Sequence, residues 1–176
     1  MQRLLGALAI VCAGAVVLAA QAPSAYWLKL SEQLKIVFPR ATSFSDKEGN
    51  PPHFKAYVAD EAGKPSLAGY VFWTTELEPL ERGYDGPIKM LVGMDLAGRL
   101  TSVLVVDHHE PYGYFSVDSP QFAEQFRNKS IRDAFRVGAD VDAISRATIT
   151  ITSAARVIKN SARGIARQYM RPEDVK

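Results

Sequence analysis

Cysteine is almost absent from this chain of 176 residues: the only one is Cys12, inside an apolar N-terminal segment. The rest therefore has no disulfide, no thiolate nucleophile and no Cys-ligated zinc or iron–sulfur site. Any redox chemistry needs a bound cofactor that does without cysteine. An excess of one charge is lacking too. Lys and Arg number 21 against 19 Asp and Glu, a net +2, and the cations are spread out, so no nucleic-acid footprint is visible. Histidines number three: His53, His108 and His109. The adjacent pair with Glu110 has metal-ligand chemistry, but neighbouring side chains on a strand point to opposite faces, and no metal site is expected. What remains, 47% hydrophobic and 23% charged, is the composition of one globular domain with its own core.

Long hydrophobic runs are also missing, with one exception. After the basic start Met1-Gln2-Arg3, residues Leu4–Ala20 form an apolar run of 17. Ala20-Gln21-Ala22 then offers an A-x-A cleavage site, so residues 1–22 read as an export signal. The run also reaches the lower end of the ~17–25 residues that span a bilayer, which leaves a retained N-terminal anchor as the alternative. Either way residues 23–176 are expected to work outside the cytoplasm, in the periplasm or at its inner membrane.

Ser24 to Phe38 has helical spacing, with Ser24 as cap, Tyr26, Trp27, Leu30, Leu34, Val37 and Phe38 on one face, and Pro39 as stop. Thr42–Pro52 reads as a loop. His53–Ala59 and Leu67–Thr74 are strand-like runs joined by Asp60–Pro65, and Ile88–Met94 and Leu100–Val106 are joined by Asp95–Gly98. That makes two hairpins, with Glu76–Leu80 as a linking loop. Trp73, near Tyr70 and Phe72, is read as core rather than as a ring that stacks on a ligand. Ser119–Phe126 and Ser130–Phe135 read as short helices. The clearest element is the last helix, helical in pattern from Ile151 onward, with an apolar stripe from Ile151 to Tyr169. Arg156, Lys159, Arg163 and Arg167 follow on another face. The plain reading is a solvated face; the sharper one is a docking surface for an acidic partner or anionic lipid. The expected fold is α+β: an antiparallel sheet of two hairpins packed with N- and C-terminal helices.

The stretch that carries chemistry is Asp142-Ala-Ile-Ser145-Arg146-Ala147-Thr148-Ile-Thr150. Its small and hydroxylic residues let a ligand come close, and the helix that follows supplies unpaired N–H groups and a positive dipole end suited to phosphate. Helix capping by Thr148 or Thr150 is the plain alternative. Asp142, Ser145, Ala147 and Thr148 resemble the D-x-x-[ST]-G-A-[ST] signature of the FMN-binding domain, with Arg146 where that family usually has Gly. A second block, Gly83-Tyr84-Asp85-Gly86 through Gly93 and Asp95 to His109-Glu110-Pro111-Tyr112-Gly113, resembles the family's "G-Y-x-G" and "H-x-E-T-P-G" segments. The resemblance extends with gaps from about Val37 to Tyr169. Its His-His-Glu-Pro form is closer to the nitrous-oxide-reductase regulator group than to subunits of the Rnf complex or the sodium-pumping NADH:quinone oxidoreductase.

The resemblance implies an FMN held by a phosphodiester to Thr148 and installed after export by a flavin transferase that uses FAD and a metal ion. It places Ser145, Ala147 and the helix start around the phosphate. Arg146 either pairs with the phosphate or hinders attachment. Tyr84, Gly86, His109, Glu110, Pro111, Tyr112 and Gly113 border the ribityl chain and ring. The role implied is an electron carrier between membrane or periplasmic redox proteins, with no catalytic residue of its own. An accessory module for a periplasmic metalloenzyme and a small flavin-dependent reductase are the alternatives.

Overall fold

Two turns of one design fold the middle of the chain. In Asp60-Glu-Ala-Gly63-Lys64 the Asp60 carboxylate accepts the N–H groups of Ala62 (2.9 Å) and Lys64 (2.8 Å). In Asp95-Leu-Ala-Gly98-Arg99 the Asp95 carboxylate does the same for Ala97 (2.9 Å) and Arg99 (2.8 Å). Both turns need a left-handed residue before the chain returns, and Gly63 and Gly98 supply it at φ +74°. The first turn joins β2 (Phe54–Ala59) to β3 (Pro65–Trp73), and the second joins β4 (Lys89–Asp95) to β5 (Leu100–Asp107).

The computed structural model describes residues 25–175, with side chains from Lys29 onward. Residues 1–22, expected to be an export signal or anchor, lie outside the described residues with Cys12 and the A-x-A site, as do Ser24 and the side chains of Tyr26 and Trp27. Among the described residues no helix is long and apolar enough to cross a membrane.

β3 also pairs with β4, and a two-residue strand β1 (Ser43–Phe44), inside the expected loop, pairs with β2. The result is one antiparallel sheet in the order β1-β2-β3-β4-β5. The α+β expectation therefore holds, with the two hairpins merged into a single meander. Between β3 and β4 the chain makes a four-residue helix, α2 (Thr74–Leu77), where a loop is expected.

Side-chain alternation splits the core in two. Val71, Trp73 and Leu91 point to one face, under α1 (Ala25–Val37), where Leu30, Leu34, Val37 and Phe38 meet them. Tyr70, Phe72, Met90, Val92 and Met94 point to the other, under α4 (Thr148–Tyr169). Ile151, Ile158 and Ile165 of α4 are wholly buried there, each contributing roughly 1.5–3 kcal/mol. α1 comes close enough to β4 and β5 that a Cβ on Gly93 would stand 2.4 Å from the Val37 carbonyl oxygen. The Thr101 hydroxyl donates to that carbonyl.

Between β5 and α4 one expected helix forms and the other does not. Ser119 does cap a helix, α3 (Pro120–Glu124), its hydroxyl accepting the Phe122 N–H at 3.2 Å. Ser130–Phe135 is not helical. The Phe135 N–H goes to the Asp140 carboxylate at 2.9 Å and Phe135 itself is left-handed at φ +53°, so no helix runs through it. The basic residues of α4 are not simply solvated either. Lys159 donates to Ala134 O (2.9 Å), and Arg163 to Ile131 O (2.7 Å) and Asp133 O (3.1 Å), holding this irregular segment against the helix.

Candidate functional site

β3 and β5 end, and β4 begins, at one end of the sheet. Three pieces of chain meet there: the Gly83–Gly86 turn, the His108–Gly113 loop and the first turn of α4. Glu110 joins all three. Its side chain is buried; Oε2 accepts the Tyr84 N–H and Oε1 the Asp85 N–H, each at 3.0 Å, and the Thr150 hydroxyl donates to Oε2. The turn can come this close only because residue 83 has no side chain: a Cβ there would lie 2.3 Å from Glu110 Oε1. The turn closes through Gly83 N–H to Gly86 O at 2.7 Å, with Gly86 at φ +122°.

His108 fixes the loop. Its Nδ1 accepts the Glu110 N–H at 3.0 Å, so the ring hydrogen sits on Nε2 and is donated to Asp118 at 2.9 Å. Gly113 lies against the same ring; a Cβ there would be 2.0 Å from His108 Cε1.

α4 begins at Thr148, three residues before the apolar periodicity does. Arg146 holds a left-handed conformation at φ +67°, an uncommon state for a non-glycine residue. Ala147 is the N-cap and offers no side-chain cap, so neither threonine serves as one. The first helical bond is Ile151 N–H to Ala147 O at 2.9 Å. The N–H groups of Thr148, Ile149 and Thr150 have no acceptor among the described residues, which leaves the positive end of a 22-residue helix open. Thr148 is exposed, whereas Thr150 is buried with its hydroxyl committed to Glu110.

These pieces enclose a cavity of about 510 Å³, within the ~300–1,000 Å³ of ligand pockets. Of the residues singled out from the sequence, Tyr84, Pro111, Tyr112, Arg146, Ala147 and Thr148 line it. Ile149 and Thr150 complete the wall. Glu110 stands behind the wall as its tie. Ser145, Asp142 and His109 do not line the cavity, nor do Gly86 and Gly113, which shape the turn and the loop. The Asp142 N–H is held by Gln125 Oε1 at 2.8 Å. Trp73 faces α1 on the opposite side of the sheet, with Lys89 Nζ 4.8 Å over its ring. Arg156 is not free to face an anion in the cavity, because Glu81 holds it at 2.6 Å.

The role of His108 and the Thr150–Glu110 bond are the parts that sequence reading passes over. His108 looks equivalent to His109 until Asp118 and Gly113 are placed beside it. Gly83 did carry a signal, as the first residue of a glycine-bounded turn.

An uncapped helix start with an exposed threonine, walled by two glycine-shaped loops, suits a domain that holds a phosphate-bearing cofactor. Residues 83–163, from the glycine turn to the middle of α4, match the family model of the FMN-binding domain. The curated proteins that the chain resembles are more particular. They include one component of the ion-translocating oxidoreductase complex of Haemophilus influenzae, from strains PittEE, 86-028NP and KW20, each 30% identical over 118 residues. The alignment covers 61% of this chain and 54% of each relative, so the chain spans about half the length of the curated relatives it matches.

Proposed function

We propose that this chain is an electron-carrying flavoprotein whose FMN is joined by a phosphodiester to Thr148. The observation that carries the reading is the contrast between two hydroxyls two residues apart. Thr148 is exposed in the cavity wall beside three unpaired N–H groups, whereas the Thr150 hydroxyl is spent on Glu110. The residues present fit the group. Helix-start N–H groups and the Arg146 guanidinium suit a phosphate, and charge-assisted bonds of this kind are each worth about 1.5–3 kcal/mol. Tyr84 and Tyr112, both exposed at the cavity rim, suit the faces of a flavin ring. Bound FMN supplies one- and two-electron chemistry; the protein supplies attachment, orientation and field. Attachment replaces the Thr148 O–H bond with an O–P bond as the pyrophosphate of FAD is cleaved; AMP leaves with the electron pair and the hydroxyl proton is released, a step that requires a flavin transferase.

The relatives' name supports service alongside an ion-translocating oxidoreductase complex; the apolar run Leu4–Ala20 with its A-x-A site supports work outside the cytoplasm, with a membrane or periplasmic redox protein as partner. The test is co-expression with a flavin transferase in an exporting host. The denatured protein is expected to stay yellow and to gain the mass of FMN less water, on the peptide carrying Thr148. Thr148→Ala is expected to abolish the adduct. An adduct on Ser145 or Thr150 moves the site, and none at all ends the covalent reading.

A further inference from the structure

Six cations among the described residues are held by ion pairs. Lys47, Lys55, Arg127, Lys129, Arg156 and Arg171 each meet a carboxylate. Among the described residues other cations, such as Lys35, Lys89 and Arg99, meet none, but five gather on or against the outward face of α4: Arg132, Arg136, Lys159, Arg163 and Arg167. Three of the five are nonetheless held in place. Lys159 and Arg163 donate to backbone carbonyls of 131–134, and Arg132 donates to Pro172 O at 3.4 Å. A carbonyl fixes the position of a cation without cancelling its charge, so this face is both ordered and electropositive.

The acids nearby do little to offset it. Glu81 is committed to Arg156 and Ser153, Asp140 to Lys129 and its own loop, and Glu173 and Asp174 to Arg171. Asp133, in the segment that Lys159 and Arg163 hold, accepts the Ser130 N–H and forms no ion pair among the described residues. The cations rim two clefts along the helix. One of about 570 Å³ is bordered by Arg136, Arg156 and Lys159, and one of about 470 Å³ by Arg132, Arg163 and Arg167. The face starts one turn beyond the Thr148 cavity and follows a helix about 33 Å long.

We propose that this face of α4 is the docking surface for an acidic protein, whose carboxylates enter the two clefts. On the carrier reading above, on which this part rests, that protein is the redox partner. A polypeptide suits the surface better than a lipid headgroup layer. Membrane-surface helices set exposed apolar residues beside their cations, whereas none of the large exposed hydrophobic residues lines either cleft, and Met170 and Val175 beside Arg167 are half-buried. Complementary charge speeds encounter and fixes orientation in short-lived complexes, which a carrier requires.

The test uses the full chain, with and without flavin, and fluorescein-labelled poly-L-glutamate as probe. Binding is expected to weaken with salt, as exposed charge contacts do. The double variant Arg136→Glu/Arg167→Glu, whose side chains hold no other element, is expected to weaken it by about tenfold or more. Lys29→Glu/Lys64→Glu, an equal change of charge elsewhere, is expected to alter it less than about twofold. Absence of salt-sensitive binding, or equal loss in both double variants, overturns the proposal. So does tighter binding to phosphatidylcholine vesicles containing phosphatidylglycerol that the α4 variant abolishes, which would assign the face to a membrane. Neither readout needs the flavin, so failure here leaves the Thr148 reading to its own test.

Discussion

Removing the Glu110 carboxylate should separate the walls of the cavity, and the size of the effect follows from its bonds. It accepts two backbone N–H groups and one buried hydroxyl while only 6% exposed. A hydrogen bond to a charged group is worth about 1.5–3 kcal/mol, and a buried donor left alone costs about 1–3. Tyr84 and Asp85 are exposed, so their N–H groups recover water in part, while Thr150 does not. Glu110→Ala is therefore expected to cost about 3–5 kcal/mol. At roughly 2–4 °C per kcal/mol for a domain of this size, the thermal midpoint should fall by about 6–20 °C. Glu110→Gln keeps the shape but turns an NH2 toward one of the three donors, and should cost about 1–3 kcal/mol. Calorimetry measures the midpoint, and hydrogen exchange at the Tyr84 and Asp85 amides locates the loss. A midpoint within about 2 °C of wild type, with unchanged exchange at both amides, would refute the reasoning.

At Arg146, φ +67° makes two substitutions diverge. Arg146→Val should lose about 1–2 kcal/mol by denaturant titration, because a β-branched residue fits the left-handed region poorly. Arg146→Gly should stay within about 1 kcal/mol, relief of strain being offset by glycine's chain entropy, and should keep the flavin adduct. Asp140 gives a pH test. Burial pushes its carboxyl up, but the Arg136 N–H, the Lys129 ammonium and the Phe135 N–H together hold it down at about 2. A folded value below the unfolded one means stability present above pH ~4 and lost as pH falls toward 2. Acid titrations of Asp140→Asn should lack that component of the slope.

The hairpins were legible because their turns are local. Asp, Gly and a following cation sit within five residues, and the alternation on either side sets which face is buried. Strand β1 was not, since its two residues depend on β2 for pairing and carry no alternation of their own. The start of α4 was misplaced by three residues for a related reason. Thr148 and Ile149 are exposed, so apolar periodicity begins only beyond them. The outlines of the site could be read because glycines and a hydroxyl recur in a recognisable order. The different roles of His108 and His109 could not, because they depend on Asp118, ten residues from His108, and on the missing side chain at Gly113. The basic face of α4 looked solvated because its acceptors are carbonyls, which every residue has and no sequence displays.

The sheet that divides the core in two also divides the molecule mechanically. α1 bears on one face of β4 and β5, through Val37 against Gly93 and Thr101, and on no wall of the Thr148 cavity. The FMN-binding match likewise begins at Gly83, after α1 and the first three strands. A load applied through α1 is taken up by hydrogen-bonded strands before it reaches the loops that meet at Glu110. The first helix described is thus a mounting for the back of the sheet, touching the far side's socket only through the strands between them.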